Sequence, residues 1–160
     1  MTVTSYAIGL GSNRLHGRYG RPRAVIEAAL AELDRHGVRV VARSPTIESD
    51  PVGLVGRRFA NAAALVETDL SPPGLLALLK RLERGFGRTP GRRWATRVLD
   101  LDILLWSGGR FGTRKLAIPH PALASRAFVL EPLRRIAPDW RVPGSGLAIR
   151  HLARRLAARD

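Results

Sequence analysis

From Pro22 to His36 the apolar positions Val25, Ile26, Ala29, Leu30 and Leu33 recur every three or four residues, the period of one helix face, and Gly37 supplies a stop. On either side of this helix the pattern is strand-like. Ser5–Leu10 is a short apolar strand candidate that ends at Gly11-Ser12-Asn13, a turn signal. Val38–Ile47 alternates as a strand, Ser49–Arg58 reads as a loop with Asp50-Pro51 and two glycines, and Asn61–Thr68 is a second, mostly apolar strand. Ser71-Pro72 gives an N-cap followed by proline at the first helical position, which predicts a helix to about Arg84, closed by Gly85 and Gly87. Val98–Trp106 reads as a strand, Ser107–Thr113 as a turn and Leu116–Ile118 as a short extended piece. Pro119-His120-Pro121 must be extended or turned, and helical stretches follow near Val129–Ile136 and Leu147–Ala157. The order β-α-β-β-α-β with tail helices predicts an α+β, ferredoxin-like antiparallel sheet with helices packed on one face and a C-terminal helical extension. No linker-like stretch interrupts residues 1–160, so a single domain is expected.

The strand Val98–Trp106 carries the first chemical signal. Successive strand side chains alternate faces, so Asp100 and Asp102 share one face while Leu99, Leu101 and Ile103 take the other. Cα atoms two residues apart on a strand are about 6.5 Å from each other. Two carboxylates at that separation repel by about 2.5 kcal/mol at an effective dielectric near 20, and a divalent cation between them reverses the sign. The preceding segment Arg84–Arg97 contains five arginines and one tryptophan and no acid. Arginines beside a carboxylate pair suited to Mg²⁺ point to phosphate chemistry.

Composition narrows the classes further. The 160 residues carry a formal charge of +14, and all but two of the 27 basic residues are arginine. The bases are dispersed, with no run longer than two, as in a solvated basic surface; a polyanionic partner such as RNA is the other reading. No apolar run approaches the ~20 residues of a membrane span. MTVTSYAIGL lacks a basic leader region and reads as a strand, so a cytoplasmic location is expected. There are no cysteines, which excludes disulfides and thiolate metal sites.

Several short motifs now join in a fixed order. Gly11-Ser12-Asn13 follows the first strand, Ser49-Asp50-Pro51-Val52-Gly53 precedes Phe59-Ala60-Asn61-Ala62, and Arg97-Val98-Leu99-Asp100-Leu101-Asp102-Ile103 precedes Ile118-Pro119-His120-Pro121 and Arg126-Ala127-Phe128-Val129-Leu130. In this order and spacing the chain resembles the 6-hydroxymethyl-7,8-dihydropterin pyrophosphokinases of folate biosynthesis, over about Tyr6 to Pro138. The resemblance implies transfer of the terminal pyrophosphate of ATP to a pterin hydroxymethyl oxygen, with release of AMP. It implies that Asp100 and Asp102 bind two Mg²⁺ ions, that Arg88 and Arg97 contact the triphosphate, and that Trp94 closes over both substrates on a mobile glycine-bearing loop. Glu83, Ile103, Lys115, His120 and Arg126 fall at ATP-binding positions of the family. Phe59 and Phe128 would sandwich the pterin, the Asn61 amide would pair with its edge, and Ser49, Val52 and Asp100 would complete that subsite. The resemblance also points to a monomer or weak dimer.

The chain departs from the family pattern in places. Ser49 replaces a usual threonine, and Asp50 stands where proline is common. Pro90 falls where a second loop arginine is often found, leaving Arg92 or Arg93 to substitute. Lys115 keeps a charge but loses the guanidinium fork, and Ala117 lacks a hydroxyl. Two other readings follow from the sequence. A ferredoxin-like RNA-binding module would use the +14 charge and aromatics on the sheet, with a steep salt dependence and no need of the aspartates. An inactive homologue would follow from the loop departures.

Overall fold

The computed structural model describes residues 2–13, 20–49, 59–87 and 98–159, and of Ser49 the backbone only. The strands are β1 (Thr4–Ser12), β2 (Arg39–Arg43), β3 (Ile47–Ser49), β4 (Phe59–Thr68), β5 (Asp100–Trp106), β6 (Phe111–Gly112) and β7 (Ala117–Ile118). The helices are α1 (Pro22–Arg35), α2 (Pro72–Gly85), α3 (Ala127–Ile136) and α4 (Ile149–Ala157). The main sheet is antiparallel with order β2-β4-β1-β5, and β3 also pairs with β4, so the expected ferredoxin-like arrangement is present. Among the described residues no helix is long and apolar enough to cross a membrane.

Three elements differ from the sequence reading. The single strand expected over Val38–Ile47 is split into β2 and β3. Ser44 bridges the break: its N–H donates to Ala63 O and its Oγ accepts from Ala63 N–H, each at 2.9 Å. The Gly11-Ser12-Asn13 turn begins later than expected, because β1 continues through Gly11 and Ser12, paired with Asn61 and Ala60 on β4. The helices also occupy both faces of the sheet rather than one. α1 and α2 bury Ile26, Leu33, Leu75 and Leu79 against Tyr6, Ile8, Leu99 and Leu101 on the first face. α3 and α4 bury Leu130, Leu133, Ile149 and Leu152 against Ala7, Ala63, Leu104 and Leu105 on the second. The chain reaches that second face through the β6–β7 hairpin and the Pro119-His120-Pro121 turn, whose His120 N–H donates to Leu104 O at 3.0 Å.

A register shift between β1 and β5 lets the second core form. Ile8 opposes Ile103 while Ala7 opposes Leu105, so Leu104 is the extra residue of a bulge. Leu104 and Leu105 therefore both face α3 and α4. Before the bulge the alternation is the one read from the sequence: Leu99, Leu101 and Ile103 lie in the first core, and Asp100 and Asp102 face the other way.

Candidate active site

α3 and α4 cover only part of the second face, and the uncovered part is the floor of a cavity of about 430 Å³. That volume lies in the range of small-molecule sites. The register aligns Asn61 of β4, Gly11 of β1 and Asp100 of β5 in one row across the floor, with Asp102 opposite Gly9 in the next row. The glycines keep the floor flat between the polar side chains. A Cβ on Gly11 would stand 3.2 Å from Asn61 Oδ1 and 4.0 Å from Asp100 Cβ, whereas one on Gly9 would first meet the Leu104 side chain, at 3.5 Å. This is why the turn-like Gly11 belongs inside a strand.

The cavity walls are aromatic and cationic. Phe59 at the start of β4 and Phe128 in the first turn of α3 both line it and remain 41% and 51% exposed, far more than a phenylalanine with a packing role. Arg126, the N-cap residue of α3, also lines it, with its guanidinium 5.8 Å from the centre of the Phe128 ring.

Asp100 and Asp102 reach the cavity together, and half of the Asp102 side chain is in contact with solvent. His120 stands beside them, its Nε2 4.0 Å from Asp102 Oδ1. Its Nδ1 accepts the Ala122 N–H at 3.0 Å, which places the proton of the neutral ring on Nε2, facing the carboxylate. Among the described residues no group of three or more His, Cys, Asp or Glu forms a cation cage. A pair of carboxylates opening on a cavity is the donor set that Mg²⁺ uses when substrate phosphates and water complete its octahedron, so these residues fit that ion.

The family model described as 7,8-dihydro-6-hydroxymethylpterin-pyrophosphokinase (HPPK) matches residues 7–138. The chain belongs to this family. It is 42% identical over 153 residues to the 2-amino-4-hydroxy-6-hydroxymethyldihydropteridine pyrophosphokinase of Pseudomonas aeruginosa, covering 94% of this chain and 89% of that protein. It is 39% identical over 144 residues to the enzyme of the same name from Methylorubrum extorquens, covering 89% and 88%. Among solved structures, the HPPK-DHPS of Plasmodium falciparum with pteroate superposes at a TM-score of 0.76 and 14% identity, over 99% of this chain and 43% of that longer one. An HPPK-DHPS in complex with substrates gives 0.80 and 13%, over 99% and 44%. At those identities the likeness speaks for the fold.

With the pyrophosphokinase family established, the expected residues can be located. Asp100, Asp102, Phe59, Asn61, Phe128 and Arg126 meet in the one cavity, with His120 at its edge. The Ser49 backbone lies opposite Phe59 in the β3–β4 pairing. Arg88, Trp94, Arg97 and Val52 lie outside the described residues, as do Asp50, Pro90, Arg92, Arg93 and the Ser49 side chain. Three further expected residues lie outside this cavity. Glu83 is only 2% exposed and turns inward, its Oε2 accepting the Leu101 N–H at 2.8 Å, so it is not on the cavity wall. The Ile103 side chain is buried in the first core. Leu101 directs its N–H away from β1, so two residues on Ile103 presents main-chain groups, not a side chain, on the outer edge of β5. Lys115 sits exposed in the β6–β7 turn, outside the cavity lining. Sequence reasoning missed the floor glycines, Gly9 and Gly11, and the bulged Leu104. The Gly-Ser-Asn motif was the available signal for Gly11. His151, partly exposed, accepts the Ala148 N–H on Nδ1 at 3.3 Å and caps α4.

Proposed function

We propose that the protein transfers the pyrophosphoryl group of ATP to the hydroxymethyl oxygen of 6-hydroxymethyl-7,8-dihydropterin, acting as a cytoplasmic monomer. The observation that carries the reading is the meeting of the aspartate pair with two half-exposed phenylalanines and the Asn61 amide in one cavity. A flat heterocycle stacks on Phe59 and Phe128, and Asn61 offers a donor and an acceptor to its edge. This orientation points the hydroxymethyl group toward the Asp100 side of the floor. The hydroxyl oxygen attacks the β-phosphorus, the bond to the α-phosphate oxygen breaks, AMP leaves, and the hydroxyl proton passes to phosphate or water.

Most of the work is positioning and charge stabilisation. Two Mg²⁺ ions held by Asp100 and Asp102 would neutralise the β- and γ-phosphate oxygens. Arg126 approaches from the wall and His120 offers its Nε2–H, both as donors to phosphate. Arg88 and Arg97 add guanidinium contacts to the triphosphate and Trp94 covers the substrates, with Ser49 and Val52 at the pterin edge. Ile103 contributes its main chain and Lys115 a charge to the nucleotide. The RNA-binding alternative is disfavoured by this floor: a paired carboxylate between the aromatics repels a phosphate backbone.

Purified protein given ATP, Mg²⁺ and the hydroxymethyl dihydropterin is expected to form AMP in step with pterin diphosphate. ADP as the product, or no pterin-dependent turnover, would overturn the assignment. The floor makes a second prediction. Gly11→Ala pushes against Asn61 Oδ1, and is expected to weaken pterin binding about tenfold, or about 1.4 kcal/mol, the worth of one good hydrogen bond. Gly9→Ala, with ordinary contacts only, is the control. Calorimetric titration with pterin distinguishes them; equal affinities would show that the floor does not constrain the amide.

A further inference from the structure

We infer that Glu83 is a positioning residue, one that fixes from inside the fold the stretch of main chain joining the two cation-binding aspartates and does not touch ATP. The inference rests on the reading of Asp100 and Asp102 as a cation-binding pair.

Among the described strands β5 is the edge of the sheet, paired along one side with β1. Gly11 and Gly9 of β1 oppose Asp100 and Asp102, and the residue between the aspartates, Leu101, turns its N–H to the unpaired side. An orphaned N–H there would leave the pleat between the two carboxylates tethered by half its groups. Glu83, on the last turn of α2, supplies the missing partner: its Oε2 accepts that N–H at 2.8 Å, and its Oε1 lies 3.5 Å from Lys80 Nζ. Taking a carboxylate almost wholly out of water is costly, and its partners must offset that cost. What it gains is a charge-assisted bond, shorter and stiffer than a neutral one. A bond of that kind placed at Leu101 sets the relative orientation of the Asp100 and Asp102 side chains. It does so from the helix-covered face, opposite the cavity. With 2% of its surface exposed, Glu83 presents little of its carboxylate to a nucleotide.

The test compares Glu83→Gln, Glu83→Asp and Glu83→Ala. Two readouts are used: amide exchange at Leu101 by NMR, and Mn²⁺ affinity by EPR with a non-hydrolysable ATP analogue. Glutamine keeps an acceptor at full reach, and is expected to hold both readouts within about threefold of wild type. Aspartate keeps the charge one methylene short, and alanine keeps nothing. Both are expected to speed Leu101 exchange and to weaken Mn²⁺ about tenfold, the lower range for loss of a residue that orients a metal ligand. Unchanged Mn²⁺ affinity in Glu83→Ala would overturn the proposal. So would weakened Mn²⁺ affinity in Glu83→Gln with Leu101 exchange unchanged, because that marks a charge felt by the nucleotide and not through the amide. Should the alanine variant not fold, the aspartate–glutamine comparison decides alone. Wild-type protein that binds no Mn²⁺ with nucleotide would instead overturn the cation-binding reading, a failure visible separately because Leu101 stays protected.

Discussion

Alanine at Asp100 or Asp102 is expected to lower turnover by about a thousandfold or more, equivalent to about 4 kcal/mol of transition-state stabilisation. The loss should appear in kcat as well as in the Mg²⁺ requirement, because each carboxylate would neutralise charge that moves during transfer. Stability should go the other way. Both side chains lie on the cavity floor, outside either core. Removing Asp102 relieves a like-charge repulsion of up to about 2.5 kcal/mol, reduced by the water that reaches its side chain. The melting temperature of Asp102→Ala without ligand is therefore expected to hold or rise while activity disappears. Single-turnover AMP formation alongside thermal unfolding checks both halves. Activity within tenfold of wild type would remove that aspartate from the metal role, and a lowered melting temperature would show that it has a structural one.

The second large effect is expected far from the chemistry. Leu133 is fully buried in the layer between α3 and the second sheet face. Leu133→Ala is expected to cost about 2–5 kcal/mol, the range for truncating a buried leucine where the surroundings relax only in part. Arg126 and Phe128 sit on the first turn of that helix, so loosening it also spreads the positions of one wall of the slot. Urea unfolding should show the lost stability, and pterin affinity measured well below the unfolding midpoint should fall with it. A variant that loses stability yet keeps full pterin affinity would mean that the first turn of α3 is fixed independently of its core residues.

Much of this was legible in the chain. Strict alternation over Leu99–Ile103 placed the aspartates on one face and the leucines on the other, and the structure agrees residue by residue. The helices α1 and α2 carried enough apolar periodicity and end signals to be bounded within a residue or two. The side of the sheet taken by α3 and α4 was not legible, because an amphipathic helix declares that it has an apolar face and not which of two sheet faces will receive it. The bulge at Leu104 was hidden for a similar reason: three consecutive apolar residues, Ile103, Leu104 and Leu105, fit either parity. Gly11 misled in the other direction, since a turn-forming residue also suits a strand whose surface must stay flat under a ligand. Glu83 was assigned by family position alone, and no local pattern shows that a helix carboxylate will turn inward to an edge strand.

Numbering parity in the floor strands divides the labour of the molecule. In β1, residues 6 and 8 belong to the first core while 9 and 11 meet the cavity; in β4, residues 60, 64 and 66 do the first and 59 and 61 the second, and Leu10 and Ala62 belong to both. A selection for altered ring recognition can therefore change residues 9, 11, 59 and 61 and leave the first-core side chains of Tyr6, Ile8, Ala60, Ala64 and Val66 untouched.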